Sequence, residues 1–164
     1  MTLSEWTRPD PSEYKALFRK IGDEWLWFGR LLLSEEELRS AIHNPQLKIF
    51  KAQSDGKDLG LVELDFSQSE QCEICYFGLI PDVNGKGFGG SMMAKALNLA
   101  WRDEIKRVWL HTCTHDSPRA LAFYKRAGFT AYKREVEIHP DPRLTGHLPI
   151  GAGPHIPVIK PSVS

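Results

Sequence analysis

Between an apolar strand and an apolar helix this chain carries a run of glycines that leaves few folds open to it. The stretch reads Gly78-Leu79-Ile80-Pro81-Asp82-Val83-Asn84-Gly85-Lys86-Gly87-Phe88-Gly89-Gly90-Ser91, with four glycines in the six positions from Gly85 to Gly90. Residues Ser91 to Trp101 follow with helical spacing. Glycines at such a junction let backbone N–H groups converge on one point. The helix that begins there adds unpaired amides and the positive end of its dipole. The junction therefore reads as an anion site suited to phosphate, and a phosphorylated ligand is expected.

Several phosphate-binding designs share that physics, and the flanks choose between them. Gly85-x-Gly87-x-x-Gly90 matches the dinucleotide fingerprint letter for letter. That fingerprint follows its strand at once and belongs to repeated parallel units, whereas here Pro81 to Asn84 intervene and the upstream segments look like hairpins. A Walker loop fails because Lys86 is followed by Gly87 rather than Ser or Thr.

The junction instead resembles the acetyl-CoA loop of the GNAT superfamily of N-acetyltransferases. Leu79, Pro81, Asn84, Gly87 and Gly89 stand at that loop's pattern positions, with Asn84 where Arg or Gln is usual. A second block supports the resemblance. Val108-Trp109-Leu110-His111-Thr112-Cys113 reads as a buried strand, and Asp116-Ser117-Pro118-Arg119-Ala120 opens a short helix through Phe123 and Tyr124 to Gly128-Phe129. This is similar to the family's Asn-Pro-Arg-Ala motif, with Ser117 in the Asn place as a cap and Pro118 in the first turn. Gly128 suits a left-handed helix end. Together the two blocks cover roughly residues 57 to 135.

The resemblance implies an α/β fold of α+β type. It has a mixed, largely antiparallel central sheet with helices on both faces, splayed between the strands flanking the long helix. It implies acetyl-CoA as cosubstrate, with the pyrophosphate held by Asn84, Gly85, Lys86, Gly87, Phe88, Gly89, Gly90 and Ser91. Backbone contacts to the pantetheine arm fall near Phe77, Leu79 and Ile80, and Ser117, Ala120 and Phe123 join the cofactor side.

Length and composition agree with one domain over residues 1–164. Its expected parts are acceptor-side helices and first strands (about 1–56), a cofactor core (57–138) and a Pro/Gly-rich irregular tail (139–164). Pro11 to Ile21 shows a helical stripe of Tyr14, Leu17, Phe18 and Ile21, and Ser34 to Glu37 reads as a capping box opening a helix through Ile42. Leu47 to Gln53 and Leu59 to Phe66 alternate as strands around the turn Ser54-Asp55-Gly56-Lys57. Further strands are expected over Glu73–Ile80 and Phe129–Glu137. Lys plus Arg and Asp plus Glu both number 21, so the basic excess of a nucleic-acid binder is missing. No segment reads as a membrane span or a signal peptide. Three cysteines cannot all pair within one chain, and a reducing cytoplasm is the expected setting. Nothing selects an oligomeric state, and a homodimer is compatible with the sequence.

Acetyl transfer to an amine needs a proton removed from the ammonium and one supplied to the departing thiolate. Backbone N–H groups near the splay can stabilise charge on the carbonyl oxygen. Tyr124 matches the family's helix tyrosine and is the expected general acid. Glu73 stands where some members carry a catalytic glutamate and is the expected base. Strand alternation would put it on one face with Cys75, Phe77 and Leu79. Cys72-x-x-Cys75 and His111-x-Cys113-x-His115 suggest zinc, but strand residues three apart face opposite ways, so these read as buried or cleft-lining residues and no metal is expected. Trp25, Trp27 and Phe28 are expected to line the acceptor pocket, some of them packing the core instead. Glu35-Glu36-Glu37 reads as a helix N-terminus favouring negative charge. The expected activity is direct attack of a primary amine, on a small molecule or peptide, upon the thioester. A noncatalytic acyl-CoA-binding or sensor module is the alternative.

Overall fold

Apolar alternation sets the sheet. In β2 (Leu47–Ser54), Leu47 and Ile49 join one core layer while Phe50 and Ala52 join the other. β3 (Lys57–Asp65) repeats this with Leu59 and Leu61 against Val62 and Leu64. Asp55 and Gly56, at φ 51° and 73°, close the hairpin as the two-residue turn its sequence calls for. A sheet apolar on both faces must be covered on both.

The computed structural model describes residues 1–160. Five strands run in the order β1-β2-β3-β4-β5. β1 (Thr2–Glu5), β2, β3 and β4 (Gln71–Leu79) pair antiparallel, and β4 with β5 (Arg107–Trp109) is the parallel pair. This is the mixed, largely antiparallel sheet expected. β1 was not foreseen: Leu3 is the apolar residue in a short, mostly exposed edge strand, too little for a pattern.

α1 (Pro11–Gly22) starts where Asp10 accepts from the N–H groups of Ser12 and Glu13, and it buries Tyr14, Leu17, Phe18 and Ile21. α2 (Glu35–Ile42) opens on the Ser34–Glu37 capping box and buries Leu38 and Ile42. Both cover the Leu47, Ile49, Leu59 and Leu61 face. α3 (Phe88–Ala100) covers the other with Met92, Met93, Ala96 and Ala100. Helices therefore lie on both faces.

Four expectations need correction. Register shifts between Glu63↔Tyr76 and Leu64↔Ile74, so Cys75 is a β-bulge and the alternation reverses there. Cys75 and Tyr76 pack towards α1, while Phe77 joins the α3 layer, so Glu73, Cys75, Phe77 and Leu79 do not share a face. β5 stops at Trp109 instead of Cys113, because Asp116 accepts from the Thr112 hydroxyl (2.6 Å) and the Cys113 N–H (3.1 Å) and bends the chain. Ser117 does not cap the short helix α4 (Ala120–Arg126) and Pro118 is not in its first turn: Arg119 is the cap residue, and the Ser117 hydroxyl accepts from the Arg119 N–H at 3.3 Å in the turn before it. Its end follows expectation: Gly128 has φ 101°, its N–H bonds the Lys125 carbonyl, and the Phe129 N–H bonds that of Tyr124. Residues 129–137 form no strand, since β5 offers only three residues to pair with; Tyr132, Val136 and Ile138 are exposed.

The tail is irregular, as expected, but it does more than lie on the surface. Leu148 and Ala152 enter the α1 core layer. Arg143, 6% exposed, ties the segment by bonding Asp141 and the carbonyls of Ala152, Ile156 and Pro157. Residues 161–164 of the expected tail lie outside the described residues.

Candidate active site

β5 pairs with β4 at Gln71↔Arg107, Cys72↔Val108 and Glu73↔Trp109, and no further. β4 runs on to Leu79 with β3 on one side, leaving the edge from Ile74 onward unpaired on the other. The sheet forks just past Glu73. Free backbone N–H and C=O groups there are ready to pair with an extended arm.

The glycine loop lies at the far end of that edge. A 3-10 turn (Pro81–Val83) leads to Gly85 at φ 78° and Gly87 at φ 84°, and Gly87 is the residue before α3. No side chain caps α3. The first amides of the helix, at Phe88, Gly89 and Gly90, thus lack an intrahelical acceptor. A Cβ added at Gly85, Gly87 or Gly90 would meet nothing within 4 Å, whereas at Gly89 it would lie 3.6 Å from the Phe123 ring. Open space before uncapped amides, bordered by an aromatic edge, fits a pyrophosphate. Asn84, Lys86 and Ser91 are exposed on the same loop. The N–H groups of Asn84 and Lys86 already bond Pro81 and Val83 carbonyls. Ile80 is corrected to a core residue: it is 4% exposed, its N–H bonds Leu59 O and its carbonyl accepts from Val83.

Aromatic rings floor the fork on the α3 side. Phe77 lies 5.9 Å from Phe123 and 6.5 Å from Tyr124 between ring centroids, and Tyr124 lies 6.2 Å from Phe129. Ala120 is half-buried one turn earlier, its N–H on the Ser117 carbonyl at 2.8 Å. Burial, with the Asp116 charge added, pushes the Tyr124 phenol well above its ordinary pKa.

On the opposite face Glu73, with 21% of its side chain exposed, places Oε1 3.5 Å from Nδ1 of His111. Its bond to Glu73 raises the imidazole pKa above 6.5 against the opposing effect of burial, helped by the Glu73, Glu137 and Asp116 charges. Cys72 is buried towards α3 and Cys75 packs towards α1, so the pair is divided by the sheet. Burial raises both thiols, Cys72 to about 12. Among the described residues no group of three or more His, Cys, Asp or Glu is arranged to hold a metal, and no helix is long and apolar enough to cross a membrane.

The three aromatics of the 25–28 segment part company. Trp27 is a core residue, its ring 5.3 Å from Phe18 and 5.0 Å from Tyr76, pressed against Gly22 and Gly78. Trp25 and Phe28, half-buried like Trp27, also meet the tail, at His155 and His139, both at 5.4 Å, and Phe28 packs on the α1 core layer as Trp27 does. His155 also bonds the His115 carbonyl at 2.9 Å, so the tail bridges the 25–28 segment and the loop after β5.

One buried polar cluster was not foreseen from the sequence. Glu63 is fully buried, accepts from the Tyr14 hydroxyl, and pairs with Arg30 at 2.6 Å. Burial opposes the Arg30 charge, but Glu63 more than offsets it. The same burial and the neighbouring carboxylate push the Tyr14 phenol well up. The pair anchors the segment carrying Trp25 and Phe28 to the sheet. Its signal was a carboxylate continuing the inward series Leu59, Leu61, Glu63.

Residues 3–129 match the model of the Acetyltransferase (GNAT) family. The chain belongs to the GNAT acetyltransferases. A mycothiol acetyltransferase of Clavibacter michiganensis subsp. michiganensis is 28% identical over 131 residues, 79% of this chain. That match spans 42% of the relative, so the GNAT chain corresponds to less than half its length. Among solved structures, an aminoglycoside acetyltransferase from an uncultured soil metagenomic sample, in complex with sisomicin, superposes with a TM-score of 0.66 at 14% identity. The match covers 85% of this chain and 94% of that one. AAC(6′)-Iy, in complex with the bisubstrate analogue CoA-S-monomethyl-acetylneamine, gives 0.63 at 13% identity over 85% and 97%. These structures speak to the fold alone. The family model stops at residue 129, so the tail that meets Trp25 and Phe28 lies beyond it.

Proposed function

We propose that this chain transfers the acetyl group of acetyl-CoA to a primary amine of a small, cationic acceptor. The observation that carries the reading is the fork itself: Tyr124 approaches it from one face, Glu73 stands on the other, and the unpaired β4 edge leads to uncapped amides. Acetyl-CoA, when bound, supplies an activated thioester. The amides from Gly87 to Gly90 hold its pyrophosphate, with Gly85, Lys86 and Asn84 around it. The β4 edge at Phe77 and Leu79 aligns the pantetheine arm, and Ser117, Ala120 and Phe123 bound its far side.

In the transfer, the N–C bond to the acetyl carbon forms as the C–S bond breaks. Tyr124, its proton retained by burial, gives that proton to the departing sulfur. The amine proton leaves on the face of the fork where Glu73 stands. Trp25 and Phe28 wall the acceptor side, and Glu73, Glu137 and Asp116 give it negative charge. That charge favours a cationic amine, the class to which the aminoglycoside bound to the solved relative belongs.

The test is thiol release from acetyl-CoA with sisomicin, neamine, lysine and a free-amino peptide. Release with a cationic small amine supports the proposal. Saturable acetyl-CoA binding without release on any of them overturns it in favour of a noncatalytic acyl-CoA-binding module.

A further inference from the structure

The chain leaves β5 after Trp109 and brings His111 over the fork, where its Nδ1 lies 3.5 Å from Glu73 Oε1. The two side chains differ in access: 69% of His111 is exposed against 21% of Glu73. An amine entering from solvent on this side meets the imidazole first. The loop that carries His111 is held, because Asp116 bonds Thr112 and Cys113, and the His115 carbonyl is bonded by His155 of the tail. The charged groups that act on His111 are Glu73 from β4, Asp116 from its own loop and Glu137 from the segment after α4, and all three are acidic.

Proton affinity separates the two groups further. An aliphatic ammonium has a pKa near about 10, and a carboxylate near about 4 is a weak base towards it, whereas an imidazole near about 6.5 is closer in affinity and to neutral pH. A carboxylate beside Nδ1 favours the tautomer with its proton there and leaves the Nε2 lone pair free. We infer that His111 takes the proton from the attacking amine and that Glu73 is the positioning residue that orients its ring and stabilises its cation. The ammonium N–H bond breaks, its electron pair stays on nitrogen for the new N–C bond, and Nε2 receives the proton; the second proton, lost from nitrogen as the C–S bond breaks, restores the Tyr124 phenol through water. The imidazolium then returns its own proton to water through its exposed edge. This rests on the acetyl-transfer reading of the fork.

The sign follows from the chemistry. Only neutral His111 accepts a proton, so kcat/KM falls as pH drops through its pKa, which Glu73 holds above 6.5. Two measurements test the inference together. The first is an NMR titration of the histidine rings in the ligand-free protein, wild type beside Glu73→Gln, with His111 assigned by loss of its signal in His111→Gln. The second is the pH profile of thiol release for the same three proteins on the amine panel, beside acetyl-CoA titrations. The expected result is a His111 midpoint above 6.5 that moves down in Glu73→Gln, with the kinetic midpoint moving alongside. His111→Gln should lose about a hundredfold or more in kcat at unchanged acetyl-CoA affinity. Wild-type kcat and profile in His111→Gln, or a His111 midpoint indifferent to Glu73→Gln, overturns the assignment while leaving acetyl transfer standing. A wild type that releases no thiol overturns the acetyl-transfer reading and this inference with it, and the titration still reports whether the two side chains are coupled.

Discussion

Tyr124 combines a polar tip with a site that gives it every reason to stay neutral. Burial against Phe77, Phe123 and Phe129 and the charge of Asp116 both raise its pKa, and the phenol is a proton donor across the physiological range. Tyr124→Phe keeps the ring and its edge contacts while removing only the donor. Turnover should fall by about a hundredfold or more, the usual scale for a positioned acid, with acetyl-CoA affinity nearly unchanged. Steady-state kinetics beside a binding titration checks this; wild-type turnover with intact binding returns Tyr124 to packing and leaves thiolate protonation to water. The position of this tyrosine beside Phe77 was legible because two motifs in order placed it. The contact of His111 with Glu73 was not legible, since nothing along the chain brings residue 111 beside residue 73; only the early end of β5 does.

Elements with local signals were legible, and elements defined by partners were not. The Asp10 cap, the Ser34–Glu37 box, the Asp55-Gly56 turn and the Gly128 helix end each name their structure within a few residues. The Cys75 bulge has no such signature, being set by how β4 meets β3, and residues 129–137 alternate like a strand yet find no edge to join. Glu63 is the sharpest case: an ordinary strand residue on paper, it is a buried carboxylate whose partners come from α1 and the 3-10 turn Gly29–Leu31. Removing one partner of a buried pair leaves an uncompensated charge. Arg30→Met should therefore cost about 3 kcal/mol of stability in urea unfolding, and Glu63→Leu in the same chain should recover a good part of it. A loss below about 1 kcal/mol in the single variant places the pair among weak surface bridges.

For the molecule as a whole, the fork divides a well-paired half-sheet from an open one. β1, β2 and β3 are laced by antiparallel ladders, broken only by a register shift at Ala52/Gln53, while β4 beyond Glu73 has one laced edge and one free edge. A ligand laid along the free edge and against the start of α3 should tighten that half alone. At acetyl-CoA concentrations a hundredfold above Kd, linkage contributes about 2.7 kcal/mol. For a chain of 164 residues that corresponds to a rise in Tm of roughly 5–10 °C. Amide exchange should slow from Ile74 to Leu79 and from Gly85 to Ser91, with the β1–β2 ladder unaffected. A competing location exists at the opposite edge of the sheet, a cavity of about 240 Å³ lined by Glu5, Trp6, Arg8, His43, Asn44 and Lys48. Protection centred there, with the glycine loop unchanged, would remove the cofactor from the fork. Gly87→Val supplies the control, because its φ of 84° suits glycine and a branched side chain would project where the pyrophosphate must approach. In that variant both the Tm rise and the loop protection should disappear while the ligand-free exchange pattern of β2 and β3 persists, which separates a lost site from a lost fold.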